Sequence, residues 1–425
     1  MDRLKSFWKS LGPGLITGAA DDDPSGIATY SIAGARFGLA TLWTVIVTLP
    51  FMIVIQRMCG RIGMISGRGL AGNMKRHYPK WILGFVTIIL FLANVINIGA
   101  DISAMAASVQ LLIPIPALLL CAIISGTIIL LLIFLSYRQI AHYLKWIAIV
   151  LFAYIIAALL VTQPWREILV RAVIPPWRWD KAYIGVVVAI FGTTISPYLF
   201  FWQASEEVEE ERVRQNLAPG TMMPDIKPNK LPKHRIRNEV GAMYKDVYYG
   251  MIFSNIITFF VIILASTTLN AHGFYNVGTV GEIAQLLKPL AGPYANLLFL
   301  IGILAAGTLA IPVLAGSAAY ALAETFGWHD GFENHFGRAK QFYIVIVVAT
   351  VLGLAIPALG FDPVNILYYT AVIFGVISPV LIALVIHMAN NPKIMGQYTS
   401  RLSSNILAYI LLIVMTASVI ALFFI

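Results

Sequence analysis

The chain has 425 residues, 59% of them hydrophobic and only 12% charged, with a net charge of +9. A soluble domain carries roughly 25% charged residues, so the composition excludes a soluble enzyme or binding module and reads as an all-α polytopic membrane protein. The basic residues are scattered through loops, which argues for membrane topology and against nucleic-acid binding.

Hydropathy predicts eleven spans, near 12–36, 39–60, 81–112, 116–137, 143–163, 182–205, 246–268, 294–323, 340–358, 363–389 and 402–425. They are expected to form a single transmembrane domain over residues 1–425. The first apolar segment lacks a small-residue cleavage site and carries acids, so it reads as a span and not as a cleaved signal. Those acids are Asp21, Asp22 and Asp23, which run into Pro24-Ser25-Gly26. Carboxylates at membrane depth are costly and persist where they face a cavity or an ion. Asp23 is the expected ion contact; Asp21 and Asp22 are candidates for an outer shell, or for capping a half-helix. Cys59 and Cys121 fall in or at the ends of spans and make neither a disulfide framework nor a metal cluster. Asp101, in span three, reads as a second polar contact or as a structural hydrogen bond.

Span six is interrupted at Gly192-Thr193-Thr194-Ile195-Ser196-Pro197. Polar, proline-containing breaks at matching places in two halves point to an inverted-repeat transporter. The predicted repeats are spans 1–5 (about 12–163) and 6–10 (about 182–389), with 402–425 as an added helix. A helical proline cannot donate to the carbonyl four residues earlier and pushes it away. Pro24 therefore releases the oxygen of Ala20, and Pro197 that of Thr193, each at the negative end of a half-helix dipole. With the Asp23 carboxylate and the hydroxyls of Thr193, Thr194 and Ser196, the site offers only oxygen, which suits hard cations. The competing reading for Thr194 and Ser196 is a bond back to their own helix. Pro50, Pro312 and Pro379 read as structural kinks.

The one long polar stretch, 206–245, opens with the acidic run Glu206-Glu207-Val208-Glu209-Glu210-Glu211. It reads as a solvated helix end followed by an extended or mobile loop with Pro219, Pro224, Pro228 and Pro232. If the N-terminus is cytoplasmic, 23 of the 29 Lys and Arg fall on the cytoplasmic side, among them Arg3, Lys5, Lys9, Arg138 and Lys145. The expectation is a multi-pass cell-membrane protein with its N-terminus in and its C-terminus out. No Walker motif or nucleophile–base pair indicates an enzyme or a cofactor. A monomer is expected.

Gly12-Pro13-Gly14-Leu15, Asp23-Pro24-Ser25-Gly26, Ala33-Gly34-Ala35-Arg36-Phe37-Gly38 and Arg61-Ile62-Gly63, leading to Ser66-Gly67-Arg68-Gly69-Leu70-Ala71, resemble the Nramp metal-ion transporters. The resemblance implies the leucine-transporter fold and a divalent-metal site at the two breaks. It also implies departures. The family reads Asp-Pro-Gly-Asn in span one, where this chain places Gly26 at the asparagine ligand position. The family's span-six Met-Pro-His becomes Ser196-Pro197-Tyr198, so the thioether ligand is missing. The span-three acids align with Phe91-Leu92-Ala93-Asn94, and the span-six histidines with Tyr198 and Gln203, the latter a further outer-shell candidate. These features resemble the Nramp-related magnesium branch and imply import of hydrated Mg2+, with Mn2+ tolerated, by alternating access without a proton. The rival readings are a proton-coupled Mn2+/Fe2+ transporter and a sodium-coupled amino-acid symporter. The latter would need a half-helix N-terminus free of acids to hold a substrate carboxylate.

Overall fold

The computed structural model describes residues 13–134, 148–214, 233–334 and 336–424, and the described residues form helices and connecting segments without a strand. The basic residues Arg3, Lys5, Lys9, Arg138 and Lys145, the start of the fifth predicted span and the prolines from Pro219 to Pro232 lie outside them.

The first predicted span is two helices, α1 (Pro13–Asp21) and α2 (Pro24–Phe37). There follow α3 (Trp43–Ser66), a short α4 (Leu70–His77), α5 (Lys80–Gln110), α6 (Ala117–Phe134), α7 (Phe152–Leu160) and a short α8 (Trp165–Val173). The sixth span is again two helices, α9 (Lys181–Thr194) and α10 (Pro197–Arg214). The remainder comprises α11 (Lys233–Thr268), α12 (Ala295–Phe326), α13 (Lys340–Gly353), α14 (Pro363–Asn390) and α15 (Leu402–Phe424). Among the described residues nine helices are long and apolar enough to cross a membrane, counting α9 and α10 as one. The first span falls short of that length because it is broken, and the fifth because only its second half is described. Helices α3, α12 and α14 run unbroken through Pro50, Pro312 and Pro379, as expected of structural prolines.

The broken helices lie at the centre of the bundle. Every α9 residue from Tyr183 to Thr194 is buried, and so are Pro24 to Ser31 of α2. Small residues permit this depth. A side-chain carbon at Gly18 would lie 2.1 Å from the Gly250 carbonyl oxygen, and one at Gly34 would lie 2.4 Å from that of Ile262, so both halves of the first span press directly on α11. Close backbone approach of this kind is how helices associate where no hydrophobic force separates them from lipid. Apolar side chains such as Leu402, Ile406, Ile413 and Phe423 of α15 and Trp81, Phe85 and Ile88 of α5 are exposed on the bundle's outside. They form the surface a bilayer covers. Cys59 and Cys121 are free and buried.

The acidic run departs from its sequence reading. Helix α10 continues to Arg214 and α11 begins at Lys233, so the predicted 206–245 loop is helical at both ends. Glu206, Glu207, Glu209 and Glu211 are buried and not solvated. The reason is a set of donors from distant parts of the chain. The Tyr320 hydroxyl of α12 donates to Glu206 Oε1 at 3.0 Å and also to Glu209. The Phe332 and Glu333 amides donate to Glu209 at 3.2 and 2.6 Å. Arg212 pairs with Asp330 at 3.0 Å. Buried carboxylates are tolerated when hydrogen-bonded in this way.

Candidate functional site

The backbone leaves helical geometry at the end of α1, and Asp23 (φ −67°, ψ 171°) caps α2. Its Oδ1 accepts from the Gly26 amide at 2.6 Å and from the Ser25 hydroxyl at 2.7 Å. Its Oδ2 accepts from Asn97 Nδ2 of α5 at 2.9 Å. A carboxylate oxygen has room for about two acceptor contacts, so Oδ2 retains capacity for an ion or a water. Asp23 is therefore both the helix cap and the acid nearest the break.

The neighbouring acids face elsewhere. Ser254 Oγ of α11 lies 2.7 Å from Asp21 Oδ2 and 3.3 Å from Asp22 Oδ1. Asp21 Oδ1 and Asp22 Oδ2 are buried with no hydrogen-bond partner. Among the described residues no three acidic, histidine or cysteine side chains converge on a single point. The triplet thus separates into Asp23, turned to α5, and the Asp21–Asp22 pair, turned to α11.

Across from them, the two breaks meet. A side-chain carbon at Gly26 would lie 3.3 Å from Thr193 Oγ1 and 3.2 Å from the Asp21 carbonyl oxygen, which places the Thr193 hydroxyl against the first break. The Ala20 carbonyl, deprived of a helical donor by Pro24, accepts from the Tyr198 hydroxyl of α10 at 3.0 Å. This is a contact between the breaks that the sequence reading missed, because tyrosine read only as the loss of a histidine. The Thr193 carbonyl accepts from Ser196 Oγ at 2.5 Å, and Ser196 also reaches the Gly192 carbonyl at 3.1 Å. Thr194 Oγ1 donates to the Ile190 carbonyl at 2.8 Å. The hydroxyl protons of Thr194 and Ser196 are thus committed to their own helix, and only their lone pairs remain for a cation.

Gln203 lies apart from this group. It accepts from Thr17 Oγ1 of α1 at 2.8 Å and donates to Glu207 at 2.9 Å. It ties α1 to α10. Beyond the opposite end of α2, a cleft of about 520 Å3 is lined by Gly38, Glu167, Arg171, Arg178, Ser266 and Asn270 among others.

The sequence model of the family described as natural resistance-associated macrophage protein-like (Nramp) matches residues 14–424. The chain belongs to the Nramp family. It is accordingly a multi-pass membrane transporter and not an enzyme. Among curated relatives, it is 25% identical to the divalent metal cation transporter MntH of Deinococcus radiodurans over 417 residues, 96% of this chain and 87% of that one. Among solved structures, it superposes on the Eremococcus coleocola manganese transporter with a TM-score of 0.76 at 17% identity, covering 97% of this chain and 86% of that one. It also matches inward-facing Mhp1 with a TM-score of 0.57 at 14% identity, covering 97% and 90%. These similarities establish the leucine-transporter fold that the resemblance implied. Of the positions read as departures from the family pattern, Gly26, Ser196 and Tyr198 lie at the meeting of the breaks, whereas Gln203 and Asn94 bond elsewhere.

Proposed function

We propose that this Nramp protein carries divalent cations, chiefly Mg2+ with Mn2+ tolerated, by alternating access, without moving a proton. The observation that carries the reading is the donor set at the two breaks. It comprises the Asp23 carboxylate, the Ala20 and Thr193 carbonyls and the Thr193, Thr194 and Ser196 hydroxyls, with no sulfur or imidazole. Hard oxygen ligands suit Mg2+, Ca2+ and Mn2+. With Gly26 and Ser196 in place of longer ligands, fewer protein atoms reach the ion, and Mg2+ keeps several waters in most sites. The unbonded oxygens of Asp21 and Asp22 are suited to hold such waters. Tyr198 and Gln203 cannot carry a proton near neutrality as histidine does, which supports uncoupled transport. The membrane potential alone supplies about 4.6 kcal/mol per 100 mV for a dication entering a negative interior. The predicted orientation, N-terminus in, gives that direction meaning.

The relatives favour a second reading in which manganese is the main substrate, since they are described as a divalent metal cation transporter and a manganese transporter. One assay separates the two. Purified protein in proteoliposomes is tested with Mg2+, Mn2+, Fe2+ and Cd2+ while a luminal dye reports pH. Mg2+ and Mn2+ entry without acidification is expected. Entry of Fe2+ or Cd2+ with exclusion of Mg2+ overturns the selectivity, and metal-driven acidification overturns uncoupled transport. Asp23→Ala should abolish uptake of every ion.

A further inference from the structure

The Asp23 site has a continuation in α5 that the two breaks do not account for. Asn97 Nδ2 donates to Asp23 Oδ2 at 2.9 Å and, with its second proton, to Asp101 Oδ2 at 3.4 Å. One amide nitrogen thus joins two carboxylates from different helices. All three side chains are buried, with Asn97 and Asp101 wholly inaccessible. Among the described residues the side-chain and amide donors to these acids are Ser25, Gly26 and Asn97, and no lysine or arginine. Two further oxygens, Asn97 Oδ1 and Asp101 Oδ1, are buried without any hydrogen-bond partner.

An amide oxygen and a carboxylate oxygen left bare in a buried site cost free energy unless something positive meets them. Asp101 also lies two turns beyond the Phe91–Asn94 stretch. Asn94 in that stretch is occupied otherwise, its Nδ2 donating to the Leu314 carbonyl at 2.9 Å and to Ser317 at 2.8 Å.

We infer that Asp101, linked through Asn97, is the second carboxylate of the cation site and balances the charge of the transported dication together with Asp23. Two unit negative charges neutralise one divalent cation, and a site holding both gains selectivity for charge two over charge one. Asn97 sets the spacing: its nitrogen holds the two carboxylates apart, and its oxygen is available to the ion or to a water on it. The inference rests on the reading of Asp23 as the ion contact.

The test is initial-rate uptake of Mg2+ and Mn2+ by full-length protein in proteoliposomes, with Asp23→Ala as reference. Asp101→Asn keeps the shape and the polar contact but removes the charge. The expected result is a KM for both ions raised about tenfold or more, with a maximal rate within about twofold of wild type and an unchanged elution profile. Moving the charge one turn, in the double variant Asn97→Asp with Asp101→Asn, should recover most of the lost affinity. A purely structural role would lower yield and maximal rate without this rescue. Asp101→Asn with a wild-type KM, or a double variant no better than the single one, overturns the inference. If Asp101→Asn fails to fold, the double variant decides by its KM: near wild type supports the inference, and about tenfold or more above it overturns it. If Asp23→Ala itself transports normally, the fault lies in the ion site and not in the role of Asp101.

Discussion

Replacing Tyr198 by phenylalanine should tighten ion binding, although it deletes a hydrogen bond. The Tyr198 hydroxyl donates to the Ala20 carbonyl at 3.0 Å, and both groups are buried. Pro24 has no amide proton, so that carbonyl has no helical donor to fall back on. The phenyl ring would keep its packing on Phe374, whose ring centroid lies 5.5 Å away. What is lost is the hydroxyl alone, and a buried carbonyl left unsatisfied costs about 1–3 kcal/mol. That cost falls on the ion-free protein. In the ion-bound protein, if Ala20 ligates the cation, the carbonyl is satisfied by the metal and little is lost. The difference appears as affinity, about 5-fold at the lower end of the range and about 150-fold at the upper. Isothermal titration of Mg2+ into detergent-purified wild type and Tyr198→Phe measures it directly. Thermal melts should show the ion-free variant destabilised and the Mg2+-saturated variant close to wild type. Equal destabilisation of both forms with an unchanged Kd would mean that the hydroxyl stays on Ala20 when the ion is bound, and would refute the argument that the ion replaces it.

The remaining predictions concern the groups around that contact. Ser254→Ala removes the donor shared by Asp21 and Asp22, so the melting temperature should fall by the equivalent of about 1.5–3 kcal/mol, with Mg2+ restoring part of it; an unaffected melt would separate the pair from the ion. Gly26→Asn places a side-chain carbon 3.3 Å from Thr193 Oγ1, so Mg2+ uptake should slow and the preference shift toward Mn2+ in a competition assay, the more so combined with Ser196→Met. Tyr320→Phe strips a donor from Glu206 and Glu209; cysteine labelling at introduced positions on α12 facing α10 should then rise, and unchanged labelling would show that this contact does not hold the two helices together.

The breaks were legible because proline, glycine and acid stand where uninterrupted leucine, isoleucine and valine would otherwise continue; their matching positions suggested an inverted repeat, and the motifs around them, by resemblance, the fold. The spans were legible to within a few residues wherever a helix ends at the apolar boundary. They failed where it does not: α10 and α11 extend into strongly charged sequence because their charged faces pack on partners that no local pattern reveals. Glu209 is buried by Tyr320 and by the amides of residues 332 and 333, more than a hundred positions away. The link from Asp23 to Asp101 was missed for the same reason. Asn97 is an unremarkable residue in an apolar run until folding sets it between two carboxylates. The protons of Thr194 and Ser196 follow the competing reading, a bond back to their own helix, because a serine or threonine inside a helix has its own carbonyl ladder; their lone pairs are what the donor set uses.

The same two helices carry both the ion contact and the closure. Helix α1 meets α10 at Ala20–Tyr198 and again at Thr17–Gln203, 3.0 and 2.8 Å apart respectively. Ala20 and Thr17 lie three residues apart on α1, and Tyr198 and Gln203 five apart on α10, so the contacts form consecutive rungs between one pair of helices. A cation that takes the Ala20 carbonyl competes with the Tyr198 hydroxyl for the two lone pairs of one oxygen, which weakens one rung and leaves the other intact. A ligand shifts a conformational equilibrium only by its differential affinity for the two states. Here that difference would arise because the ion and the hydroxyl share the Ala20 oxygen. Thr17→Val, which removes the second rung while sparing the first, should therefore make opening less dependent on the ion. Accessibility of an introduced cysteine beside Gln203 should rise in the variant without Mg2+, and should rise less on adding Mg2+ than in wild type. An ion response of wild-type size would show that the two rungs open independently, and the coupling would have to lie in another pair of helices.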